Sequence, residues 1–222
     1  VVEAPGRAMF QITSPLVAKA LNTNDLSRLE VLLKKSSTNL MVVSGLAFLI
    51  INLNLLDFYD MINQEGYASA FSVVIIVSLG KFFSMSMGCL NNIISNSKYY
   101  SYVFWFSVSS AILAVVLNYY FISAYGIIGA AMATLIVMVF INICKILLIY
   151  LVFKIHPYNG KSLSIAVSIF LIYGIVYSIP TLMHPLISIL ARSLLIIFLF
   201  GIPLFLFKWS VDIEVVLKRL RG

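Results

Sequence analysis

The chain has 222 residues, of which 62% are hydrophobic and only 10% charged, and its mean hydropathy is +1.05. Soluble domains carry about 45–50% apolar and about 25% charged residues, so a single water-exposed core has no room for this surplus. The composition excludes a soluble enzyme, a nucleic-acid binder and a disordered chain, and the net charge of +7 becomes a mark of membrane topology.

The chain opens without Met at Val1-Val2-Glu3-Ala4-Pro5, inside an element, as a piece of a longer protein would. Residues 1–12 read as the tail of an earlier span. Ser14-Pro15 signals a helix start, with Pro at the first helical position. Asn24-Asp25 starts a second helix, in which Leu26, Leu29, Leu32 and Leu33 recur at helical spacing while Arg28, Lys34 and Lys35 occupy other positions. Residues 1–38 are therefore expected to form an amphipathic segment on the cytoplasmic interface.

Six apolar stretches follow, at about 39–56, 67–94, 101–122, 126–153, 162–179 and 186–207, each near the roughly 20 residues a spanning helix needs. A β-barrel would need strict alternation, which the run from Leu194 to Phe200 lacks. The expected fold is all-α, a polytopic bundle of six transmembrane helices over 39–207 with no convincing internal repeat. Within the fourth stretch, Gly126, Ala130 and Thr134 recur every four residues, as do Gly129 and Ala133; small residues at that spacing favour close helix packing. Pro203 should kink the last span. Residues 208–222 read as a short basic amphipathic tail on the membrane.

Basic residues in the connections set the orientation. Arg7, Lys19, Arg28, Lys34 and Lys35 precede the first stretch, Lys98 follows the second, Lys154 and Lys161 follow the fourth, and Lys208, Lys218, Arg219 and Arg221 follow the sixth. The alternate connections hold no Lys or Arg, only Asp57, Asp60 and Glu65 in one and His184 in another. Both ends are thus expected in the cytoplasm. Asp57, Asp60 and Glu65 read as solvated loop carboxylates, and His184 as an isolated loop residue.

Three cations fall inside the stretches: Lys81, Lys145 and Arg192. Burying each costs about 2.5–3.5 kcal/mol on insertion scales, so each needs a reason. On a straight helix over 67–94, Lys81 lies about 14 residues, roughly 20 Å, from either end, beyond the reach of snorkelling. Ser78, Ser84, Gly88, Asn92 and Ser95 fall on its side of the wheel, opposite Ile75, Ile76, Leu79, Phe83 and Leu90. The expectation is a cavity-facing cation that meets an anionic substrate group, against the plainer alternatives of an ion pair within the bundle or a shifted helix boundary. Lys145, with Asn142 and Thr134 on its face, and Arg192, near the outer end, suit snorkelling as well as a cavity or portal role. Asn52 and Asn54 suit interhelical hydrogen bonding, and Cys89 and Cys144 small core or lipid-facing positions. No nucleophile motif, phosphate-cradling glycine loop, metal-ligand set or cofactor motif is present, which argues against an enzyme.

Leu117-Asn118, an aromatic connection, and then Tyr125-Gly126-Ile127-Ile128-Gly129-Ala130-Ala131-Met132-Ala133-Thr134 resemble a stretch of the Wzx-like polysaccharide and O-antigen flippases of the MATE/MOP transporter superfamily. Ser14-Pro15, Asn24-Asp25 and the leucines up to Leu33 look like the cytoplasmic segment joining two spans in the second lobe of that family. Gly88, Asn92 and Lys98 look like its Gly, Asn and basic residue before the next span. The resemblance covers roughly 5–155. It implies the C-terminal half of a transporter with 12–14 spans in two lobes, a bacterial inner-membrane location, and an isoprenoid diphosphate-linked oligosaccharide as substrate. It also implies an N-terminal lobe as partner. Lys81, Ser78, Ser84, Asn92, Lys145 and Arg192 are the candidate cavity residues. A multidrug or metabolite exporter of the same superfamily would need an acidic residue within a span; a scaffold subunit would tolerate loss of Lys81; a membrane glycosyltransferase would need a catalytic set.

Overall fold

The computed structural model describes residues 4–62, 68–179 and 184–206, and among them the chain is all-helical. Helix α1 (Ala4–Asn22) runs straight through the expected start at Ser14-Pro15, with Pro15 inside it. Pro15 removes one backbone donor, and the turn before it is reinforced by Thr13, whose hydroxyl donates to the Met9 carbonyl at 2.7 Å. Asn24 takes a left-handed φ of 53° and Asp25 caps the next helix, its carboxylate accepting from the Arg28 N–H at 2.9 Å.

Helix α2 (Leu26–Leu53) joins the expected interfacial segment and the first span into one 28-residue helix, about 42 Å long. Ser36-Ser37-Thr38 does not break it, since the Ser36 and Thr38 hydroxyls donate to the carbonyls of Leu33 and Lys34. Leu29 and Leu33 are fully buried against Val17 and Ala20 of α1 and against Leu90, Ile93 and Ile149, so this apolar stripe meets protein rather than a membrane surface.

The chain bends at Asn54 into α3 (Leu55–Ile62), which places Asp57 in a helix and not in the solvated loop expected of it. Helix α4 (Ala68–Met85) and α5 (Leu90–Asn96) replace the expected continuous helix over 67–94; a 55° bend separates them. Gly88 makes the break, at φ +62° and so close to α2 that a Cβ would lie 2.4 Å from the Ser37 nitrogen. The break leaves backbone groups outside any helix, and α2 meets them: Cys89 N–H donates to the Ser36 hydroxyl at 2.9 Å, and the Ser37 hydroxyl donates to the Ser86 carbonyl at 2.6 Å.

Helix α6 (Ser101–Phe153) spans 53 residues but is interrupted at Gly126, with φ 58° and ψ −134°. In a straight helix, residues eight apart are about 12 Å apart. Here a Cβ on Gly129 would lie 1.9 Å from the Phe121 carbonyl oxygen. At the far end, the Tyr99 ring meets the Phe153 ring edge-on at 6.1 Å. The chain therefore folds back at Gly126, and 101–125 and 127–153 are two arms of a helical hairpin whose turn is a single residue. The connection expected between the third and fourth stretches is helix, and the turn comes after it at Gly126.

Helix α7 (Gly160–Tyr177) starts at Asn159, which forms a reciprocal capping box with Ser162, and α8 (Pro185–Leu206) starts on Pro185 and contains Pro203. One buried cluster joins α1, α2, α5 and the end of α6; a second joins α2 to α7 and α8 through Leu49, Ile165, Ile169, Ile196 and Phe200. Four helices, α2, α6, α7 and α8, are long and apolar enough to cross a membrane, and the bent pair α4–α5 makes a fifth stretch that passes the same test. Large apolar side chains stand exposed along α6, α7 and α8, as in a bundle whose solvent is lipid. The tail 208–222 and Glu65 lie outside the described residues.

Candidate functional site

Helix α4 carries Lys81 past α2, and α1 lies across the bend. Between these elements lie two cavities of about 610 and 430 Å³, and Arg7 and Lys81 line both. The larger is mostly apolar, walled by Phe48 and Ile51 of α2 and Val73, Val74 and Val77 of α4, with Ser44 and Ser78 as its polar groups. The smaller, toward α5, adds Gln11, Ser84 and Asn91. Among the described residues no carboxylate lines either cavity. Two cations with hydroxyl and amide groups beside them can hold a phosphate-type anion, with the guanidinium supplying paired donors.

The structure brings together Lys81, Ser78 and Ser84 and adds Arg7, which sequence reasoning had spent on topology. The signal for Arg7 is its spacing from Gln11: at i and i+4 the two share one face of α1. Ser78 has a second job, bonding Asn52 of α2 at 2.9 Å, and Asn54 reaches Ser193 of α8 at 3.2 Å, so both asparagines tie helices together as expected.

No protein family, curated protein or solved structure matches this chain.

Asn92 does not join Lys81. The helical-wheel stripe that linked them ends at the break after Met85, and the fully buried Asn92 amide donates to the Phe10 carbonyl at 2.9 Å and the Thr13 hydroxyl at 2.7 Å. It straps α5 to α1, the helix that carries Arg7. The same break places Lys81 four residues before the end of α4. Lys145 lies half-buried on the inward stripe of α6, between buried Asn142 and Ile149, and lines neither cavity.

Arg192 is held by a partner invisible in sequence. Its guanidinium donates to Asp57 at 2.9 Å and to the carbonyls of Leu53 and Ile179. Asp57 is 2% exposed and also accepts from the Ser188 hydroxyl at 2.9 Å. The pair ties α3 to α8 beside a separate cavity of about 300 Å³ lined by Asn52, Tyr177 and Arg192.

The two small-residue rows of α6 part ways. Gly129 and Ala133 are buried, as close packing requires, whereas Gly126 is exposed and serves the turn; Ala130 is half-buried and Thr134 exposed. Below the α4–α5 break, the Tyr158 and Ser86 hydroxyls lie 3.0 Å apart. Burial pushes the Tyr158 phenol above its usual range, while the bond to Ser86 pulls the other way.

Proposed function

We propose that this chain is one lobe of a transporter, the C-terminal half of a flippase that moves an isoprenoid diphosphate-linked oligosaccharide from the cytoplasmic to the outer leaflet of a bacterial inner membrane. The observation that carries it is the shared position of Arg7 and Lys81 on the linings of two neighbouring cavities. A diphosphate entering a bilayer must exchange its hydration for fixed donors, and paired cations at an apolar–polar boundary supply them. Ser44, Ser78, Ser84, Gln11 and Asn91 suit sugar hydroxyls, and the valine-lined wall suits prenyl carbon. The lobe would have six crossings, namely α2, the bent α4–α5, the two arms of α6, α7 and α8, with both ends cytoplasmic. It would rock against an N-terminal lobe to give alternating access.

A cation-coupled exporter of the same superfamily is the second reading, and Asp57 is the observation that favours it: a buried carboxylate in a helix, which the sequence had shown as a loop residue. Asp57 is, however, engaged by Arg192 and Ser188 and lines neither cavity with Lys81. Replacing Lys81 by Ala in the native host separates the readings. The flippase reading expects loss of surface polysaccharide at normal protein level, with Arg7→Ala giving a similar phenotype. Normal polysaccharide with loss of drug efflux favours the exporter, and no phenotype at all favours a scaffold.

A further inference from the structure

The first arm of α6 is exposed on nearly every side, and its side chains are sorted by height. Tyr100, Tyr102 and Trp105 cluster at its start, Tyr119, Tyr120 and Tyr125 at its end, and residues 107–117 between them are aliphatic or small. From Tyr102 to Tyr119 is 17 residues along a helix, about 26 Å, close to the roughly 30 Å of a bilayer's hydrocarbon core. Between the clusters, Ile112 and Val115 are 62% and 72% exposed. Four of the arm's polar side chains bond within it: Ser107, Ser110, Asn118 and Ser123 each donate to a carbonyl of their own helix at 2.8 Å. At the first cluster, Lys98 lies 5.3 Å from the Tyr99 ring centroid and Lys154 lies 5.7 Å from that of Tyr150. The Tyr99–Phe153 contact holds both lysines at one level.

We infer that the arm 101–125 is a lipid-facing strut whose two aromatic clusters mark the two surfaces of the bilayer, with Lys98 and Lys154 at the headgroup level of the cytoplasmic face. Tyrosine and tryptophan settle at the membrane–water interface because their rings favour the apolar side while their polar atoms keep water. A lysine stacked on a tyrosine at the same level suits anionic headgroups. A helix that packed against a second lobe would offer small residues or unsatisfied polar groups along one stripe. On this arm Ser107 and Ala111 are such a pair of small residues, but the exposed surface around them is aliphatic and aromatic carbon, and Ser107 and Ser110 bond within their own helix. The inference stands apart from the flippase reading, since any multi-pass protein could use such a strut.

Depth-resolved fluorescence tests it. The full chain with Trp209→Phe keeps Trp105 as its sole tryptophan. A second protein carries Trp105→Phe, Trp209→Phe and Ile112→Trp, and a third places the tryptophan at Val115 instead. Each is reconstituted in phosphatidylcholine vesicles brominated either near the headgroup or near mid-chain. Trp105 should be quenched most by shallow bromine and the tryptophans at 112 and 115 by deep bromine, the latter two protected from aqueous iodide. Equal depth for Trp105 and the mid-arm positions would overturn the girdle. Mid-arm tryptophans untouched by either lipid would mean that protein covers the arm, and iodide quenching there would mean that water does; either overturns the inference.

Discussion

Asp57 and Arg192 show how a single pairing changes the meaning of two residues. They are 135 positions apart in sequence, so neither periodicity nor composition could join them. Alone, Asp57 reads as a loop carboxylate and Arg192 as a snorkelling cation; together they are a buried bridge with 2% and 12% side-chain exposure. Removing one member of such a pair strands the other, at a cost of about 3–5 kcal/mol, whereas replacing both by apolar groups is often neutral. Asp57→Ala should therefore lower the thermal unfolding midpoint of detergent-solubilised protein sharply, and Asp57→Leu combined with Arg192→Met should recover most of the loss. Equal destabilisation by both would show that the loss comes from the pair's own interactions and not from a stranded charge. Lys81 was legible because an unexplained charge in an apolar run needs a reason. Arg7 was passed over because a cation near a chain end already had one.

At the scale of elements, the three glycines at or beside the two bends differ in what a methyl group would meet. At Gly88 a Cβ would fall 2.4 Å from the Ser37 nitrogen, and at Gly129 it would fall 1.9 Å from the Phe121 carbonyl oxygen; at Gly126 nothing lies within 4 Å. Ala at 88 or 129 must displace backbone, while Ala at 126, in open space, bears chiefly the strain of a backbone conformation essentially reserved for glycine, about 1–3 kcal/mol. The yield of monodisperse protein should thus fall far more for Gly88→Ala and Gly129→Ala than for Gly126→Ala. If Gly126→Ala proved the worst, the hairpin turn would be less open than described. The helix start at Asn24-Asp25 was legible in sequence, whereas Ser14-Pro15, read as a start, lies inside α1. The α4–α5 break was not legible, because Ser84 to Cys89 is apolar enough to continue a span, and the serines that stabilise the break come from another helix. Lost with that continuity was the helical wheel that had carried Asn92 to Lys81.

At the scale of the whole molecule, the apolar stretches were legible because a backbone in lipid must satisfy its own hydrogen bonds, which leaves helices as the economical solution. Which faces of those helices meet was not legible, since lipid-facing and protein-facing sides are equally apolar here. The orientation rests on the placement of basic residues. With Cys144 replaced by Ser, a cysteine at Asp60 should react with an impermeant maleimide added outside intact cells, and one at Lys98 only after permeabilisation. The opposite pattern would invert the bundle and place the Lys98–Lys154 level outside.

The one-residue turn at Gly126 also bears on how such a chain can vary in length. Ordinary surface loops absorb insertions because their ends can move without disturbing the elements they join. A turn with no spare residue has no such slack. One residue added anywhere between Phe121 and Gly129 would rotate every later side chain of the second arm by about 100° and turn its packed row toward lipid. Length variation should therefore be tolerated in the connections before α7 or α8 and be lethal to folding at this corner, which makes the hairpin a fixed ruler within the bundle.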